Sequence, residues 1–115
     1  MKMRTISKPW GQEEIIEINP NYMFKRLTML KGKRCSLQYH NHKIETIYVL
    51  KGNLKIFIGK SEEKLESKIY EENQVITINN LVIHRMEAIT DCVYLEASTP
   101  EIDDVIRISD DFNRS

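Results

Sequence analysis

Turn residues interrupt this chain so often that neither a long helix nor a long strand fits between them. The breaks fall at Asn19-Pro20-Asn21, Lys31-Gly32, Gly52-Asn53, Gly59 to Glu63, Glu71 to Asn73, Asn79-Asn80 and Thr90-Asp91. Between them lie short β-type runs: residues 13–19, 24–30, 34–39, 46–50, 54–58, 75–78, 84–88 and 92–98. Leu54, Ile56 and Ile58 alternate onto one face, as a half-buried strand requires. Runs repeating every ~8–12 residues predict an all-β sandwich or barrel. Lys51-Gly52-Asn53, between two apolar runs, predicts a tight hairpin. Residues 62–68 have helix-forming composition but are too few for a stable helix, and are expected as a charged loop or edge strand. Residues 103–110 read as a terminal strand or a short helix. No repeat, low-complexity segment or linker divides the chain, so one domain is expected over residues 1–115.

Composition excludes several function classes. With 115 residues, 41% hydrophobic and 30% charged, the chain can bury a core. Seventeen basic residues balance seventeen acidic ones. Binding to a phosphate backbone normally leaves a basic excess, so no nucleic-acid partner is expected. Near-zero net charge gives little self-repulsion and is compatible with a homodimer. No apolar stretch approaches the ~20 residues needed to span a bilayer, and MKMRTISKPW lacks an apolar signal core. A cytoplasmic protein with no membrane partner is the expectation. Cys35 and Cys92 form no CxxC pair and read as buried thiols.

All three histidines fall in two short segments. His40 and His42 lie in Gln38-Tyr39-His40-Asn41-His42 at a strand end, with Glu45 opening the next strand, and His84 follows the turn at Asn79-Asn80. Residues two apart on a strand share a face, which aligns Gln38, His40 and His42. Imidazole nitrogens and a carboxylate oxygen suit divalent first-row metals. The competing reading is a set of isolated polar side chains at strand ends.

These residues, with Gly32 before them and Gly52 in the turn that follows, resemble the two cupin motifs. The closer resemblance is to the C-terminal cupin domain of type II mannose-6-phosphate isomerases. Lys8-Pro9-Trp10-Gly11 is similar to that family's (K/R)PWG opening. Lys25-Arg26-Leu27 and Gly32 precede Ser36 to Glu45, which resembles SLQxHxHRxE. His84-Arg85-Met86-Glu87 resembles HRLE, and Asp103 to Arg114 resembles the ending DDIVRxxDxYGR. Where the family has PxGxxH before its last histidine, this chain has Asn79 and Leu81 in place of proline and glycine.

The resemblance implies an all-β double-stranded β-helix, a small jelly-roll barrel, with one divalent ion in its mouth: zinc, manganese, iron, cobalt or nickel. Two ligand sets are open, Gln38/His40/Glu45/His84 and His40/His42/Glu45/His84. Two residues between His42 and Glu45 are few for turning the chain between strands, which favours the glutamine set and leaves His42 as a nearby contact. The activity implied is metal-dependent aldose–ketose isomerisation of a sugar phosphate, mannose 6-phosphate to fructose 6-phosphate. Glu87, close behind His84 and expected on the same strand face, is a candidate base. Lys25 and Arg107 are candidates for proton transfer or for holding phosphate, with Arg26, Arg85 and Arg114 as further cations. The alternative is a non-catalytic metal- and sugar-phosphate-binding cupin in nucleotide-sugar metabolism; a metal-dependent dioxygenase is a third class. Trp10, Tyr39, Tyr48 and Cys35 are expected to pack rather than react.

Overall fold

The computed structural model describes residues 4–114. Among these residues eleven strands form: β1 (Arg4–Lys8), β2 (Gly11–Ile18), β3 (Met23–Met29), β4 (Leu37–Tyr39), β5 (Glu45–Lys51), β6 (Leu54–Gly59), β7 (Glu66–Tyr70), β8 (Val75–Ile78), β9 (Ile83–Ala88), β10 (Cys92–Ser98) and β11 (Ile106–Ser109). They build two antiparallel sheets, ordered β1-β2-β3-β10-β5-β8 and β11-β4-β9-β6-β7. This is the all-β jelly-roll architecture expected from the sequence.

One strand is new, and two segments left open by the sequence take the strand alternative. β1 was not foreseen; it pairs with β2 through the Lys8-to-Gly11 turn. β7 places Glu66–Tyr70 on the edge of the five-stranded sheet, so the charged run resolves into an edge strand after residue 65. β11 is a strand, paired to β4. Gly52 turns the β5–β6 hairpin at φ +86°, where its absent Cβ clears the Asp91 carbonyl.

The inward faces of the strands change character along their length. In β5, Val49 and Ile47 are followed by Glu45; in β9, Ala88 and Met86 by His84. In β10, Cys92 and Tyr94 give way to Glu96 and Ser98, and in β3, Met29 and Leu27 to Lys25. One end of the interior is therefore packed by Leu27, Ile47, Val49, Leu54, Ile56 and Met86, and the other is lined by ionisable groups. Both cysteines are free and buried in the apolar end.

Candidate metal centre

β4 delivers His40 just past its end, β5 opens on Glu45, and β9 carries His84. His40, Glu45 and His84 are 3%, 2% and 0% exposed. Their nearest ligand atoms all lie within 4.8 Å of one another. Glu45 Oε1 is 3.1 Å from His84 Nε2 and 3.8 Å from His40 Nε2, and the two rings are 5.1 Å apart.

Backbone carbonyls fix both imidazoles. His84 Nδ1 faces the Val82 carbonyl at 2.9 Å, and His40 Nδ1 faces that of Asp104. A carbonyl only accepts, so each Nδ1 carries the ring proton and each Nε2 presents a lone pair. Those Nε2 atoms are buried with no hydrogen-bond partner, aimed at a carboxylate oxygen. Lone pairs facing one another repel. Protonating both rings would bury two like charges side by side, whereas one shared cation would satisfy all three atoms. The donor set thus fits a divalent ion, and the Nδ1–carbonyl bonds are of the kind that orient histidine ligands.

Gln38 stands beside this cluster on β4, opposite His84 in register. It lines the same cavity, and its Oε1 accepts a hydrogen bond from Ser36 at 2.7 Å, which leaves that oxygen a second lone pair. His42 lies apart. Its side chain is exposed and outside the cavity, while its backbone N–H donates to Asp104. The Asp104 carboxylate clamps this turn by accepting from the N–H groups of Asn41, His42 and Lys43 at 2.7–3.0 Å. Burial opposes those three bonds but does not outweigh them, so its carboxyl is held down to about 2. The clamp directs His40 inward and His42 out, so the His40/His42 ligand set finds no geometric counterpart.

Glu87 also falls elsewhere. It lies three positions after His84, an odd step, so it shares the outer sheet face with Lys55, and its backbone pairs with that of Arg34 in an isolated β-bridge. Arg85 lies on that outer face too, donating to the Cys35 carbonyl at 3.0 and 3.1 Å. Arg26 pairs with Glu14 outside the cavity. Lys25 lines the cavity with Nζ 2.8 Å from Glu13, and Arg107 and Arg114 line it as well.

The sequence reading passed over Lys43 and Glu96. Lys43 Nζ lies 3.2 Å from Glu45 Oε2 and 2.9 Å from Glu96. Burial alone would lower the Lys43 ammonium, but the two carboxylates reverse that and hold it above its ordinary value. Burial and the nearby Glu45 push the Glu96 carboxyl up, against the pull of Lys43 and Lys25. Glu45, also pushed up by burial, is carried well below the usual carboxylate range by His40 and His84 when their Nε2 atoms carry a proton toward it, and by Lys43. Part of the signal was present in the sequence: Lys25 and Glu96 occupy inward positions of alternating strands, where a charge needs a partner, whereas Lys43 lies in the loop just before β5.

The sequence profile of the mannose-6-phosphate isomerase C-terminal family matches residues 1–110. The chain belongs to this family. Its fold is that of the cupins: capsular polysaccharide assembling protein CapF from Staphylococcus aureus superposes with a TM-score of 0.80 at 16% identity, over 92% of this chain and 34% of that one. Oxalate decarboxylase from Bacillus subtilis gives 0.81 at 11% identity, over 92% and 30%.

Two relatives named mannose-1-phosphate guanylyltransferase align along nearly the whole chain. The one from Salmonella montevideo is 31% identical over 117 residues, covering 97% of this chain and 24% of the relative. The one from Escherichia coli strain K12 is 30% identical over 116 residues, covering 96% and 23%. The chain thus spans about a quarter of the length of these relatives. They are named for guanylyl transfer, not isomerisation, and this overturns the isomerase expectation. The geometry offers a physical reason: Glu87, the expected base, faces away from the cluster, and Lys25 is engaged by Glu13. Among the described residues, no helix is long and apolar enough to cross a membrane.

Proposed function

We propose that this chain is a single cupin domain over residues 1–115 that binds a divalent metal and a sugar phosphate in the service of nucleotide-sugar synthesis. The observation that carries the reading is the convergence of two unpartnered, buried Nε2 atoms on Glu45. Gln38, His40, Glu45 and His84 would hold the ion, and their mixed N/O character suits zinc, manganese, iron, cobalt or nickel. When bound, such an ion acts as a Lewis acid toward sugar oxygens. The protein's own residues do the rest. The Val82 and Asp104 carbonyls orient the imidazoles. Lys43 occupies the second oxygen of Glu45, leaving Oε1 for the centre. Trp10, Leu27, Met86 and Tyr94 add apolar surface to the cavity lining. The similarity to mannose-1-phosphate guanylyltransferases makes mannose 1-phosphate the first ligand to try.

Elemental analysis of tag-free protein tests the reading, followed by calorimetry with mannose 1-phosphate and mannose 6-phosphate. About one divalent ion per chain and saturable binding of a sugar phosphate are expected, from the three-residue cluster. Protein that takes up none of the five metals from solution would end the proposal.

A further inference from the structure

The cavity above the cluster has a volume of about 120 Å³. Burial separates the mouth of this cavity from its floor. Glu13, Lys25, Lys43, Glu45 and Glu96 are buried and form the floor; Lys8, Arg107, Arg114 and Asp104 are half-buried and form the mouth.

The floor is unsuited to an anion. It holds three carboxylates, and both of its lysines are engaged: Lys25 by Glu13, and Lys43 by Glu45 and Glu96. At the mouth, the Asp104 carboxylate is taken up by the backbone N–H groups of residues 41–43. Arg114 is held in a two-bond pair with Asp110 at 2.9 and 3.0 Å. Lys8 differs. It lines the cavity, and among the described residues no carboxylate lies within ion-pair distance of it.

Its position is also built. Lys8 pairs with Gly11 across the β1–β2 turn. Gly11 sits at φ +151°, where a Cβ would come within 2.0 Å of the Thr28 carbonyl. Only glycine lets β2 approach β3 this closely, and the Leu30 N–H, bonded at 2.9 Å to the Trp10 carbonyl, locks the turn to the sheet. Trp10 then packs into the core beneath. A turn anchored on both sides presents an ammonium at the mouth of a cavity whose other polar groups are largely engaged.

We infer that Lys8 is a phosphate contact of this cavity: it takes the anionic end of a sugar phosphate at the mouth while the sugar's hydroxyls face the His40/Glu45/His84 cluster. The inference rests on the sugar-phosphate reading above and replaces Lys25 as the cation that holds phosphate. An ammonium–phosphate bond is charge-assisted, and its loss weakens binding by roughly tenfold or more.

Calorimetry on the full chain tests this with mannose 1-phosphate, mannose 6-phosphate and neutral mannose as probes. Lys8→Met keeps the aliphatic stem and removes the charge. It should weaken phosphate-ester binding about tenfold or more, flatten its salt dependence, and leave metal content and neutral mannose binding unchanged. Lys8→Arg should restore binding, and Lys60→Ala, at an exposed position outside the cavity, should match the parent chain. Melting curves confirm that each variant is folded. If Lys8→Met binds the phosphate esters as tightly as the parent does, the inference falls and the sugar-phosphate reading stands. If the parent chain itself binds neither ester, both fall.

Discussion

The two ends of the barrel interior solve the packing problem in opposite ways. At one end, Leu27, Ile47, Val49, Leu54 and Ile56 fill space with side chains that need only shape. Burial of each stabilises the fold by about 1.5–3 kcal/mol, and no single neighbour is indispensable. At the other end, Glu13, Lys25, Glu96, Lys43 and Glu45 are just as buried, but each depends on a partner. Desolvating such groups costs several kcal/mol per ion, and apolar residues of similar volume would be the more stable choice. Strands that are apolar at one end and charged at the other therefore mark the charged end as serving something other than stability.

Lys43 offers the strongest way to break that contrast. Lys43→Met strands Glu96 beside Glu45, two carboxylates in one buried site, and should destabilise the fold by about 3–5 kcal/mol. Adding Glu96→Gln should recover part of that loss, because the stranded charge is gone. Leu54→Ala at the apolar end should cost about 2–5 kcal/mol, with no second substitution of this kind to rescue it. Denaturant unfolding of the three variants measures both effects. A cost under about 1 kcal/mol for Lys43→Met would mean that the charged end is not a coupled network.

The second comparison lies within the charged end, between His40 and His42, neighbours in sequence that the Asp104 clamp sends to opposite sides. His40→Ala and His84→Ala should each weaken divalent metal binding by about 100-fold, since each removes a donor from the cluster. His42→Ala should change it less than about threefold, because its side chain is exposed. Competition with a chelator ranks the three. If His42→Ala proves as damaging as His40→Ala, residues 41–43 rearrange when the metal binds.

Most of the architecture was legible because it depends on period and punctuation. The alternation in residues 54–58 and the turn at Gly52 each predict their element without reference to the rest of the chain. β1 was not legible: Arg4–Lys8 has no apolar alternation, and it is a strand only because β2 offers an edge to pair with. Clustering of the histidines and the family resemblance brought His40, Glu45 and His84 forward. The partner of each buried charge was harder to see, since Glu13 meets Lys25 and Glu96 meets Lys43 only once distant strands are in register. Glu87, expected on the face of His84, lies three positions after it, and an odd step reverses the face.

The smallest effect concerns the turn that carries His84 into the site. Where the family has glycine, Leu81 adopts φ +69°, in the left-handed region that a branched side chain occupies at a cost of about 1–2 kcal/mol. The side chain is 59% exposed, so little burial offsets that cost. What holds the conformation is the Leu81 N–H, which donates to the His40 carbonyl at 2.7 Å and ties the two histidine segments together. Leu81→Gly should relieve the strain, at an entropic cost in the unfolded chain of about 0.5–1 kcal/mol. The net expectation is a gain of up to about 1 kcal/mol, read as a rise of a few degrees in Tm. Metal affinity should be unchanged, because the hydrogen bond to His40 comes from the backbone. A drop in Tm would mean that Leu81 contributes packing that outweighs its backbone strain; a drop in metal affinity without one would mean that the leucine side chain, rather than its N–H, positions the histidines.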